Sequence, residues 1–238
     1  MRRTGREPED VLRAATAITR WTLISLLMWW VLIAGCLAWR AAHAGVPELC
    51  RQYQRQITSE AYNLFGLNAP VSTLAAQIHQ ESGCHAAIVS RSGAEGLAQF
   101  MPDTAQDMAR LYPTELGPAD PTNPRWAIAA QARYMRDLMR DHAGRTECDT
   151  WAFGLAAYNG GSGWVDRDIA VCRRKPINGA TCACCVADRW FGNVELSPDL
   201  RRSPSARAEN RGYPRVILLG LTPVYVAGGY GRGVECRP

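Results

Sequence analysis

Pro70-Val71-Ser72-Thr73-Leu74-Ala75-Ala76-Gln77-Ile78-His79-Gln80-Glu81-Ser82-Gly83 is the stretch on which the reading of this 238-residue chain turns. A proline followed by a hydroxyl residue marks a helix start, with Ser72 as the expected cap. Leu74 and Ile78 fall on one helical face, and Glu81 lies at i+7 and i+3 from them. Its carboxyl therefore continues the apolar face instead of pointing to water. Gly83 is the expected stop. Burial disfavours the charged form of a carboxyl, which moves its pKa toward the range where it can donate a proton at neutral pH. A helix-end glutamate taken alone reads equally well as half of a surface ion pair, so its surroundings have to decide.

The rest of the chain reads as mainly α. Between Pro47 and Phe65, apolar residues recur at Leu49, Tyr53, Ile57, Ala61 and Leu64 or Phe65, a helical period with one buried face. Asp103, after Pro102, is the expected cap of a short helix carrying Ala105, Met108 and Leu111. Asn123-Pro124 joins a capping residue to a proline at the first helical position, opening a helix through about Asp141 with Ile128, Met135, Leu138 and Met139 inward. Thr150 is the expected cap of another, which carries Trp151, Leu155 and Tyr158 and stops at Gly160-Gly161. Only Arg215–Leu221 and Pro223–Ala227 read as short extended runs, and Arg201–Arg211 as an exposed loop.

Two further clusters follow Glu81-Ser82 in order: Gly96-Leu97-Ala98-Gln99, then Ala157-Tyr158-Asn159-Gly160-Gly161. Phe100-Met101-Pro102 follows the second motif, and Asp120-Pro121 precedes the long helix. In this order and spacing the set resembles the catalytic motifs of lytic transglycosylases of the soluble-lytic-transglycosylase (SLT) type, glycoside hydrolase family 23. The resemblance covers about Leu74 to Trp164. Weaker similarity to bacteriophage-encoded versions continues through Arg189-Trp190-Phe191-Gly192 and Glu209-Asn210-Arg211-Gly212-Tyr213-Pro214. It implies a goose-type, lysozyme-like helical fold and cleavage of the MurNAc-GlcNAc bond of peptidoglycan glycan strands. Glu81 would be acid and then base, letting the C6 hydroxyl of the same muramic acid attack and leave a 1,6-anhydro end. The resemblance places Ser82 as a hydrogen-bonding orienter of the glutamate, Tyr158 beside it and Asn159 on the N-acetyl group. Gly96 would let backbone approach the sugar, and the Gln99 amide would donate to and accept from the glycan. Ala98, where many relatives carry methionine, would shorten a wall of the groove.

Composition sets the compartment. Nine cysteines, eight of them outside the apolar N-terminal segment, point to disulfides in an oxidising compartment. Cys182-Ala183-Cys184-Cys185 lacks the C-x2-C pairs and neighbouring histidines of a structural zinc site, and His79 and His85 read as structural, so no metal and no cofactor are expected. Trp21–Trp39 carries no charge and would span roughly 29 Å as a helix at about 1.5 Å per residue. Five arginines precede it, which predicts a cytoplasmic N-terminus and an exported remainder. Ala42-His43-Ala44 offers a signal cleavage site, so anchor and cleaved signal both stand, with the anchor preferred. The expected organisation is residues 1–44 as arginine-rich N-terminus plus transmembrane or signal segment (21–39), 45–171 as catalytic domain, and 172–238 as a cysteine-containing basic extension packed on it. That extension carries eleven basic and five acidic side chains. Glycan strands and the membrane are the expected partners, nucleic acid is not, and the sequence is silent on oligomeric state.

Two other activities fit parts of this pattern: a hydrolytic muramidase of goose-type lysozyme character, and a catalytically inactive wall-binding or assembly protein. Cys36, in the apolar segment, and Cys84, three residues past Glu81, also resemble phage lysins in which an anchor thiol exchanges with a cysteine near the active site.

Overall fold

The computed structural model describes residues 45–174 and 185–236. The described residues from Val46 onward group as one compact unit. The apolar 21–39 segment, the Ala42–Ala44 site and Cys36 lie outside the described residues. Among the described residues no helix is long and apolar enough to cross a membrane.

The described chain is mainly α, and the only pairings of strand type are isolated bridges joining Val89 to Glu95 and Glu95 to Phe100. In order come α1 (Glu48–Arg51), α2 (Gln54–Phe65), α3 (Val71–Ser82), α4 (Pro102–Leu111), α5 (Pro113–Leu116), α6 (Pro124–Asp141), α7 (Glu147–Gly160), α8 (Ser162–Arg174), α9 (Pro204–Arg215) and α10 (Thr222–Ala227). The single helix expected from Pro47 to Phe65 is split at Gln52-Tyr53. α7 is the central rod: Trp151, Ala152, Phe153, Leu155, Ala156 and Ala157 are all buried. A helix apolar on every side has to be surrounded, and α7 packs against α6, α8 and α9.

Several expected caps move by a turn or less. Asn123 does cap α6, accepting from Arg125 N at 3.0 Å. Ser72, however, lies inside α3, where its hydroxyl donates to Gly231 O at 2.6 Å. Asp103 sits in the first turn of α4 behind Pro102, with Met101 at the cap position. The cap of α7 is Thr146, which accepts from Asp149 N at 3.1 Å, and Thr150 is within the helix, accepting from Gly144 N at 3.0 Å. Only Ser72 is drawn away by a distant partner; Thr146 and Thr150 are placed by bonds to Asp149 and Gly144 close by in sequence.

The C-terminal part departs most from expectation. The Arg201–Arg211 loop is largely helix, started by Ser203, whose hydroxyl accepts from Ala206 N at 3.3 Å. The two runs read as extended are helical too: Val216–Leu221 is a π-helical turn leading directly into α10. Pro214, inside α9, removes one amide donor from the ladder, and the wider turn follows it. Ile217, Leu218 and Tyr225 are buried, so packing overrides the strand preference of a valine- and isoleucine-bearing run. Residues from 185 onward share one core with the earlier helices, contributing Trp190, Val194, Tyr213, Ile217 and Tyr225.

Disulfides join Cys50 to Cys84, Cys148 to Cys236 and Cys172 to Cys185, while Cys182 and Cys184 lie outside the described residues. Cys148–Cys236 spans 88 residues and fastens a C-terminal strap over the start of α3, where Ser72 N donates to Arg232 O at 3.0 Å and Val234 N to Thr73 Oγ1 at 3.0 Å. Cys148→Ser is expected to lower stability by about 2–4 kcal/mol in urea unfolding. An unchanged midpoint would show that the strap holds without its bond.

Candidate active site

Glu81 occupies the last turn of α3, and Gly83 closes the helix with φ 58°, its N–H bonded to His79 O at 2.9 Å. Every α3 residue from Val71 to Ile78 is buried, so the carboxyl sits at the end of a helix sunk in the core. Burial is the largest influence on it and pushes its pKa up; a hydrogen bond from Tyr213 opposes this, the charge of Glu209 adds to it, and the result is about 7. A carboxyl at that value is divided between acid and base near neutral pH, as a group that first gives and then takes a proton requires.

Tyr213 is the partner that the sequence reading missed. Its hydroxyl donates to Glu81 Oε1 across 132 positions of sequence, and burial followed by the glutamate charge pushes its own ionisation well above the usual phenol range. Tyr213 therefore stays a neutral donor. The sequence marks Glu209–Pro214 as similar to relatives but gives no reason to prefer its tyrosine. The helical spacing of Glu209 and Tyr213, four apart on α9, puts the charge and the donor on one face. That spacing was hidden while the region read as loop and strand.

The six expected site residues gather in part. Tyr158 is close enough for the Glu81 charge to add to the burial that raises its ionisation, but its hydroxyl donates to Ala98 O at 2.7 Å and not to the carboxyl. Its ring packs against Phe100 and Tyr134, with centroids 6.0 and 5.2 Å apart. Ser82 is buried and spends its hydroxyl on the helix end, donating to Ile78 O at 3.3 Å and accepting from Cys84 N at 3.1 Å. That differs from the expected bond to Glu81.

Gly96 is required by the protein's own backbone. It adopts φ 76°, and a Cβ there would lie 1.7 Å from Pro121 O, so the close approach expected for a sugar is made by the Asp120-Pro121 turn. Ala98 is fully buried and so lines core, not the wall of a groove. Gln99 takes a left-handed conformation at φ 48° and donates from Nε2 to Gly96 O at 3.0 Å and Ile88 O at 3.3 Å, which ties the amide to its own loop. Asn159 is gripped from both sides: its Nδ2 donates to Glu209 Oε1 at 3.2 Å and its Oδ1 accepts from Asn210 Nδ2 at 3.3 Å. Asn210 is buried and also donates to Ala156 O at 2.7 Å. Cys84 is bonded to Cys50, so the exchange with Cys36 expected by resemblance would be attack of the Cys36 thiolate on Cys84 Sγ, the new S–S bond forming as the Cys50–Cys84 bond breaks and Cys50 leaves as thiolate.

Among the described residues no group of histidine, cysteine and acidic side chains is arranged to hold a metal ion. Residues 65–179 match the family model described as Transglycosylase SLT domain. That stretch is similar to the family over somewhat less than half of the chain. Curated proteins similar to this chain include the membrane-bound lytic murein transglycosylase F of Pseudomonas fluorescens strain Pf0-1, 29% identical over 144 residues, and its Pseudomonas putida strain F1 counterpart, 28% identical over the same length. Each alignment covers 60% of this chain and 26% of the relative, so the chain spans about a quarter of their length. Among solved structures, the 70-kDa soluble lytic transglycosylase in complex with bulgecin A shares the fold with a TM-score of 0.50, at 22% identity, over 75% of this chain and 25% of that one.

The raised Glu81 carboxyl has a measurable thermodynamic sign. A folded-state pKa above the unfolded value gives stability that is full below the unfolded pKa and is lost as pH rises through about 7. Glu81→Gln removes that loss. Its melting temperature should therefore gain on the wild type between about pH 5 and about pH 8; a difference that stays constant over this range would contradict a buried, reluctantly charged carboxyl.

Proposed function

We propose that this protein is a peptidoglycan lytic transglycosylase in which Glu81 acts alone as acid and base. The observation carrying the reading is the Glu81 carboxyl itself, held by Tyr213 at the end of a buried helix and poised at about pH 7, inside a matched SLT domain. Protonated Glu81 donates to the bridging oxygen of the MurNAc-GlcNAc bond, and the leaving sugar departs as an alcohol. The carboxylate then takes the proton of the C6 hydroxyl, whose oxygen closes onto C1 to form the 1,6-anhydro ring. Atoms balance without water. Tyr213 steadies the carboxylate between the two steps, and its hydrogen bond holds the pKa below what burial alone would set.

Asn159 is the residue best prepared to meet an N-acetyl group, because its bond to Glu209 and the bond it accepts from Asn210 fix which end of its amide is oxygen. Gln99, with its nitrogen committed to the loop, would offer the glycan its carbonyl oxygen. Ser82 and Gly96 support the site through the backbone they organise. Three disulfides fit an oxidising compartment, which supports an exported catalytic part tethered at the inner membrane through residues 21–39, or released after cleavage near Ala44. A role in phage lysis or in cellular wall remodelling is equally compatible with that placement.

Glu209 gives the hydrolytic reading its footing, since a second carboxylate near Glu81 is what activation of water would use. Mass analysis of digested peptidoglycan separates the two. The wild type is expected to leave anhydro ends, and Glu81→Gln to lose at least about a thousandfold in rate, within the usual range for removing a general acid. Reducing ends, heavier by one water, would establish hydrolysis, and undiminished activity in Glu81→Gln would remove the carboxyl from the mechanism.

A further inference from the structure

Trp164, in the first turn of α8, has two guanidinium groups on its ring: Arg167 with its carbon 4.5 Å from the centroid and Arg202 at 5.7 Å. Among the described residues two carboxylates share their field, Asp168 with Arg202 and Asp199 with Arg167, but none makes a hydrogen bond or ion pair to either guanidinium. Asp199 is paired with Arg201, buried Asp168 accepts from Asp199 N at 2.6 Å, and Glu209 accepts from Asn159. Arg202 reaches its position because residue 160 is glycine; a Cβ there would stand 2.8 Å from both of its terminal nitrogens and 2.5 Å from Asn210 Nδ2. The donors of Arg202 and Asn210 thus meet at the end of α7, beside Asn159. The negative end of the helix dipole accounts for one cation at this point. Asp168 and Asp199 offset part of the remaining charge through space, yet among the described residues neither guanidinium has an acceptor for its N–H groups.

Peptidoglycan carries anions close to the bond in question. Muramic acid bears a lactyl ether whose carboxylate is either free or extended by a peptide that ends in carboxylates of its own. A planar guanidinium with free N–H pairs is suited to a carboxylate, and stacking on an indole holds the plane in place.

We propose that Arg202, with Arg167 on the same indole, forms a subsite for a carboxylate carried on the muramic acid substituent next to the cleaved bond, an inference that rests on the peptidoglycan reading above. The test compares KM for native glycan strands with KM for strands whose carboxylates have been converted to amides. The wild type is expected to show KM about tenfold higher on the amidated strands, the size of one charge-assisted contact. In Arg202→Gln that ratio should collapse to near one, with Arg202→Lys between the two because it keeps the charge and loses the fork. Strands stripped of peptide by an amidase, native and amidated, identify the anion: a persisting ratio assigns the lactyl carboxylate and a vanished one the peptide's. Cleavage with the same ratio in Arg202→Gln as in wild type overturns this subsite alone. A wild-type protein that cleaves neither form overturns the peptidoglycan reading and the subsite with it.

Discussion

Limiting the access of water to a single, half-buried carboxyl is the constraint on which the rest of this structure depends. Glu81 stands at the end of a helix whose residues from Val71 to Ile78 are buried, and only one described side chain, Tyr213, compensates it by a hydrogen bond. Burial that raises the pKa and a donor that lowers it set the carboxyl at about 7. Removing either would move it away from the range in which one group can serve both directions of proton transfer.

Such a balance demands a helix that does not shift, and α3 is fixed at both ends. Beyond its C-terminus Cys84 is bonded to Cys50, in the chain that leads into α2. Over its N-terminus lies the C-terminal strap, whose backbone accepts from Ser72 and donates to Thr73, and which Cys236 bonds to Cys148 at the start of α7. α9 is fixed in turn by the ion pair of buried Glu195 with Arg215, at 2.6 Å, and by Asn210 reaching Ala156 of α7. The three helices that carry Glu81, Asn159 and Tyr213 are therefore cross-braced by contacts distant in sequence.

This explains what could be read from the sequence. The helical period of Leu74, Ile78 and Glu81 is local, as is the Asn123-Pro124 start, and both hold in the structure. Ser72 reads as a cap because its partner, Gly231, lies 159 residues away. Gly96 reads as a glycine near a sugar until Pro121 is seen against it. The run from Val216 to Tyr225 looks like strand by its branched residues; its helical winding depends on Pro214 and on the core it covers. Tyr213 went unseen for the same reason, since its relation to Glu81 exists only once that region is wound as helix.

The most direct measurement is a carbon-13 NMR titration of the Glu81 side-chain carboxyl, assigned by comparison with Glu81→Gln. A midpoint at about 7, moving higher in Tyr213→Phe, is the result expected from burial opposed by one donated hydrogen bond. A midpoint near the ordinary carboxyl value of 4.5, unmoved by loss of the tyrosine hydroxyl, would contradict the account.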